Sequence, residues 1–429
     1  VAGILASLAV TTNIIEVDAA GRFYGNAPAK GIAISTTDGG SIASANGNNA
    51  IAIGRANADY NGAVAIGSDA VSVGNGVSMG WGATASGSNG TSLGMQTTAS
   101  GSNATAVGAY AQATKISATA VGNTAAATGN NAAAVGYAAK ADQENDNAFG
   151  SQTHANGGGA TAVGYLVNTT GNQAFGAGSN TTVTGPAAVG IGYKSEATGN
   201  RAVALGSELN GTNNGATADY AIALGAGARG TAESATAIGK QAAASKSDSV
   251  AVGTSSAAGA EKAVAIGQKA NAGGLSSIAI GDTAKATQAS GIAIGGKTNV
   301  TGSMAVAVGN SAAATATQAV SIGYSSAAGA ENTAAYGFGA RATAIGALAL
   351  GATTTATEAN SVALGTSSAT AAAVNTSTMT IAGKSYTLAG GTANGTVSIG
   401  SSTKKRTITN LAAGTVSATS TDAVNGSQL

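Results

Sequence analysis

Apolar and small positions alternate in short words along most of the chain, and each word closes on glycine. Residues 263–267 read AVAIG and residues 277–281 read SIAIG. Alternation of bulky and small residues over five positions predicts a short β-strand, because successive strand side chains point to opposite faces. The closing glycine keeps a strict beat. From Gly80 to Gly206 it returns every 14 residues, and after a five-residue insertion around 210–219 it resumes at Gly225 and holds the same step to Gly365. Gly54 and Gly67 extend the beat backward with 13-residue steps, which makes 23 repeats. Two residues before each of the 21 regularly spaced glycines stands Ala, Ser or Gly, and one residue before stands a large apolar residue in all but one, Ala177 being the exception. A second glycine often falls seven residues further on, as at Gly87, Gly101, Gly129, Gly157, Gly171, Gly185 and Gly199. It divides the repeat into two strand-plus-turn halves, and glycine is expected at both turns for its access to positive φ.

Two strands and two turns in so short a repeat predict one flattened coil of a parallel β-solenoid, stacked on its neighbours at strand spacing. Such a coil is expected to enclose little beyond a row of Val, Ile and Ala. The small column, Ala279 for example, is expected to sit tightly between sheets or chains. Burial inside so thin a roll does little to offset the entropy of ordering its backbone, so association along the bulky face is expected to supply the rest.

Composition narrows this further. Of 429 residues 66 are Gly and 2 are Pro, with aromatics at 3% and charged residues at 9%, so a core of Leu and Phe cannot be assembled. Apolar residues at 44% with few charges disfavour disorder. A net charge of +1 with scattered Lys and Arg provides no electrostatic footprint for nucleic acid or an anionic membrane. The absence of Cys excludes disulfides and thiolate metal sites. The first ten residues are apolar but carry no basic residue, and no run of about 18 apolar residues occurs, so the chain reads as a mature segment without its own membrane anchor.

Past Thr378 the beat stops. Residues 378–400 read as short strands around the Gly390-Gly391 pair, followed by the basic step Lys404-Lys405-Arg406 and the string from Thr407 to Leu429. The words of the type Ser361-Val362-Ala363-Leu364-Gly365 resemble the head repeats of YadA-type trimeric autotransporter adhesins. The stretches Ile408-Thr409-Asn410 and Ser420 to Leu429 resemble the neck motif of the same family. The resemblance implies an all-β, left-handed parallel β-roll, three copies packed about a common axis, and a neck leading to a coiled-coil stalk. It divides the chain into a degenerate N-terminal region (1–50), a β-roll head (51–370), a β-rich connector (371–403) and a neck (404–429).

Candidate sites are few. Asp142, Glu144 and Asp146 alternate as in a calcium loop, but the sixth-position glycine and twelfth-position carboxylate are missing, so a solvated turn is expected. His154, the single histidine, has no partner for nucleophilic or zinc chemistry and reads as a surface residue. Gly74-Asn75-Gly76 and Gly176-Ala177-Gly178 lack a following helix or Gly-Lys-Ser/Thr ending and read as solenoid turns, not phosphate loops. The triplets at Asn103, Asn168, Asn180 and Asn299 read as turn residues. No catalytic residue, metal site or cofactor site is assigned, and no enzyme activity is expected.

Two features stand out as ligand contacts. Aromatics follow the beat glycine at Trp81, Tyr137, Tyr165, Tyr193 and Tyr324, and Tyr137, Tyr165 and Tyr193 recur every second coil. They form either a contact stripe or packing against a neighbouring turn or chain. The stretch Asn360 to Ser368, with Asn360, Ser361 and Ser368, is similar to a word associated in the family with collagen binding, and Asp248 to Ser256 is a weaker version. The resemblance implies a homotrimeric, non-enzymatic adhesin head on the Gram-negative outer membrane, binding extracellular matrix proteins (collagen, fibronectin, laminin) or abiotic surfaces through many weak contacts. A structural fibre or spacer, such as a phage tail fibre or surface-layer component, is the alternative. An ice-binding array is disfavoured because Thr105, Thr119, Thr161 and Thr236 recur only intermittently in their column.

Overall fold

The computed structural model describes residues 31–34, 43–211 and 214–429. The apolar first ten residues and most of the degenerate N-terminal region lie outside the described residues. The chain divides into two compact units, one ending at Gly227 and one beginning at Ala228. Each is a parallel β-solenoid, with about 23 turns counted over both, and no helix occurs among the described residues.

Every regular coil contributes one strand of three residues and one of two. In the first unit Thr105–Val107 stacks in register on Thr119–Val121, and Gln112–Ala113 on Ala126–Ala127. In the second unit Val264–Ile266 stacks on Ile278–Ile280 in the same way. The stack begins upstream of residue 51, since Ile32–Ile34 already pairs with Ile51–Ile53.

The interior differs from the sequence expectation. Val and Ile of the three-residue strands are directed outward and half exposed, while the middle residue is buried, as in Val64-Ala65-Ile66. The core is therefore mostly alanine, from Ala99 through Ala160 in the first unit and from Ala235 to Ala363 in the second, with buried Ser and Thr such as Ser92, Thr97, Ser277 and Thr354 beside them. Two tight turns hold the two strands of a coil so close that small side chains fill most of the space between them, Ala in most coils and Ser or Thr in others.

Among the described residues, each fully buried valine is faced by a glycine. Val167, Val183 and Val300 are fully buried. A Cβ at Gly176 would lie 3.0 Å from Val167 Cγ1, one at Gly190 2.6 Å from Val183 Cγ2, and one at Gly291 3.0 Å from Val300 Cγ1. Gly190→Ala is expected to destabilise by about 1–3 kcal/mol through overpacking. Val183→Ala in the same chain should recover most of that loss, read as a coupling in thermal melts of both singles and the double. Additive losses would refute the pairing.

Both turns of a coil share one form. Ala111 N donates to Gly108 O at 3.2 Å and Ala104 N to Gly101 O at 3.1 Å, and the third residue of each turn is left-handed, Tyr110 at φ 61° and Asn103 at φ 57°. The second glycine column is thus not the left-handed position that the sequence suggested. Gly101 is required by close approach instead, because a Cβ there would lie 1.8 Å from the carbonyl oxygen of Lys115.

The five-residue insertion is contained within one wide coil: Val203–Leu205 still pairs in register with Ile222–Leu224. Asn214 fills the added interior. Its side-chain amide donates to Gly225 O at 2.8 Å and Ala223 O at 3.2 Å, and its oxygen accepts from Ser195 Oγ at 3.1 Å.

At the C-terminal end the chain folds back over the last coil. Val397–Ser398 pairs with the strand Val362–Leu364, covering a sheet edge that would otherwise be open. The Arg406 guanidinium donates to Ile399 O at 2.7 Å, Thr366 O at 2.5 Å and Ser368 Oγ at 2.9 Å. Between them lies an exposed antiparallel hairpin, Thr378–Ile381 with Lys384–Thr387. Its turn is Ala382-Gly383, at φ 47° and 80°, and not the Gly390-Gly391 pair, because a two-residue hairpin loop favours two left-handed residues in succession. Residues 399–429 form neither strand nor helix. There the Thr415 N–H donates to Asp422 at 3.0 Å and lowers the Asp422 pKa.

Candidate functional site

The first central position of the turn after each three-residue strand forms a column along one edge of the coils. In the first unit this column reads Tyr137, Ser151, Tyr165, Ser179, Tyr193. The tyrosines are 55%, 49% and 47% exposed, so their rings are not absorbed by packing within the chain. Three consecutive strands are lengthened here to five residues, Thr161–Tyr165, Phe175–Ser179 and Val189–Tyr193. Tyr165, Ser179 and Tyr193 thereby become registered partners in a parallel ladder. Lys194 lies 5.3 Å above the Tyr193 ring and pairs with Glu208 at 2.5 Å. The hydrogen bond to Glu208 raises the Lys194 pKa. In the second unit Tyr324 stacks on Phe338 in the same column, with centroids 5.4 Å apart and planes 7° from parallel.

The candidate word around Asn360 separates into an exposed and a buried part. Asn360 is exposed and left-handed at φ 55°. Ser361 and Ser368 are buried. Ser361 Oγ donates to Ala359 O and accepts from Thr396 N, and Ser368 Oγ donates to Leu364 O and accepts from Arg406. Both hydroxyls hold the last coil against the returning chain.

The acidic cluster departs from expectation as well. Asp146 is fully buried, and its carboxylate accepts from Gln143 N at 2.9 Å, Gly157 N at 3.2 Å and Ala160 N at 2.8 Å, closing the turn from inside. It is a structural acceptor, not a solvated turn residue. His154 is half buried, its Nε2 2.7 Å from Asp142 Oδ2. No group of His, Asp and Glu suited to a metal ion occurs among the described residues. A shallow pocket lies between Ala369, Thr370 and the returning residues Val397, Ile399, Lys405 and Arg406.

Sequence reasoning found the tyrosine column but not the intervening serines, the lengthened strands or the Tyr324–Phe338 stack. The alternation was visible in the sequence once the beat glycine served as ruler. The strand extension was not.

A family model for the YadA head domain repeat matches residues 40–57, 74–97, 99–125, 127–146, 148–166, 184–208, 231–256, 244–270, 258–284, 272–298, 301–326 and 342–368. These matches cover more than half of the chain. It belongs to the YadA head family. The model for the coiled stalk of trimeric autotransporter adhesin matches residues 407–429, continuing a YadA-type head into its neck and stalk region. Among solved structures, the collagen-binding domain of the Yersinia adhesin YadA is 35% identical, with a TM-score of 0.27, over 36% of this chain and 81% of that one. The C-terminal YadA-like domain of a Burkholderia pseudomallei protein is 31% identical, with a TM-score of 0.16, over 30% of this chain. The chain spans 42% of that Burkholderia domain. No curated protein matches.

Proposed function

We propose that this YadA-type head acts as a homotrimer at the Gram-negative cell surface and binds extracellular matrix proteins or abiotic surfaces by multivalent contact. The observation that carries this reading is repetition. Coil after coil presents the same shallow outer surface, with half-exposed Val and Ile rows such as Val264, Ile266, Ile278 and Ile280. Weak contacts on such a surface add without a deep pocket. The same rows are suited to contact between copies, since burying them supplies apolar area that the alanine core lacks. Collagen, fibronectin and laminin are the matrix ligands proposed, with Asn360 and the tyrosine column as contacts. Ser361 and Ser368 would act by shaping the coil that presents Asn360.

The test removes two coils, Asp282 to Gly309, from the trimeric protein. The 28 residues are two periods, and Val300 leaves together with its facing Gly291, so the register and interior are kept. Light scattering should give three chains before and after. Binding to immobilised collagen, fibronectin, laminin and plastic should fall in part, in proportion to the coils removed. Binding absent from the intact protein would replace the adhesive reading by a spacer, whereas binding unchanged by the deletion would confine the contacts to Asn360 and the tyrosine column, which the deletion leaves in place.

A further inference from the structure

We propose that the Tyr137–Tyr165–Tyr193 row is a binding track for a neutral β-1,4-linked polysaccharide, each ring stacking on every second sugar. The inference rests on the adhesive reading above and names a ligand class for its aromatic stripe. The spacing carries it. Tyr165 and Tyr193 are each one registered step from Ser179, so the rings stand two strand spacings apart, about 9.6 Å. An extended β-1,4 chain turns each pyranose over relative to the last and shows the same sugar face again after two units, a repeat close to that separation.

The chemistry agrees at both kinds of coil. A tyrosine presents an electron-rich face to the electropositive axial C–H groups on the face of a pyranose. The coils between carry Ser151-Gln152 and Ser179-Asn180. Asn180 Nδ2 already donates to Ser179 Oγ at 3.2 Å, and the exposed Gln152 and Asn180 amides can bond the sugar hydroxyls that face the gaps. The ladder holds Tyr165 and Tyr193 on regular strands rather than mobile loops, so little order has to be imposed on binding. Charge selects against a polyanion, because the cation beside Tyr193, Lys194, is already paired with Glu208.

The experiment measures depletion of the intact trimeric protein by microcrystalline cellulose and by chitin, with starch as the α-linked control. Retention on cellulose or chitin but not starch is expected. The triple variant Tyr137→Ser, Tyr165→Ser, Tyr193→Ser should lower the bound fraction about tenfold, and Tyr165→Trp should preserve it. The exchange Tyr165→Ser with Ser179→Tyr keeps three tyrosines but places them three coils and one coil apart, and it should lose as much as the triple variant. The proposal is overturned if the parent protein ignores both β-1,4 glycans, if the exchange variant binds as well as the parent, or if the triple variant leaves the trimer, which would make the row a contact between copies. Collagen and plastic are assayed alongside. Their retention without glycan binding removes the track alone, and loss of all binding removes the adhesive reading with it.

Discussion

Replacing Gly281 by alanine is expected to destabilise the protein by about 3 kcal/mol or more. Gly281 has φ 136°, a conformation that side chains rarely adopt. A Cβ there would also lie 2.5 Å from the carbonyl carbon and oxygen of Gly295. Both atoms belong to the backbone of the next coil, so no side-chain rotation relieves the clash. Sliding the coil does not help either, because Gly267 and Gly295 repeat the same geometry at φ 130° and 127°. The urea midpoint should fall steeply, and exchange of the Gly281 and Gly295 amides, bonded to Ile266 O and Ile280 O, should accelerate. Gly426→Ala, with nothing within 4 Å of the added atom, should leave the midpoint in place. Equal midpoints for the two variants would refute the argument.

Ala279→Leu is expected to cost about 1–3 kcal/mol by overpacking. Ala279 is fully buried, stacked between Ala265 and Ala293, with Ala272 and Ala286 also fully buried. None of these neighbours is a glycine of the kind that makes room for Val300. Lys285→Leu is expected to stay within about 0.5 kcal/mol. Lys285 lies on the strand Lys285–Ala286 with its side chain exposed, and an outward strand position tolerates such a change. Matching melting temperatures for the two variants would show that the interior is not close-packed.

The tyrosine column was legible in the sequence because the beat glycine indexes every coil, so residues one step after it share an edge. The role of Ser361 and Ser368 was not. The repeat word looks the same whether a serine faces in or out, and only the folded-back Thr396 and Arg406 show what the two hydroxyls hold. Asp146 escaped for a similar reason: three amides from Gln143, Gly157 and Ala160 converge on it only after the coils stack.

The sequence by itself determined the period, the strand-and-turn alternation and the family, because each depends on spacing alone, and spacing is a property of the linear chain. Tertiary structure decided which face is inside. Alternation sorts side chains onto two faces without saying which is enclosed, and the thickness of the coil chooses: turns this tight leave room for Ala65 and turn Val64 and Ile66 outward. The same distance explains why buried valine needs a facing glycine. It also leaves the aliphatic rows, and the tyrosines beside them, at the surface.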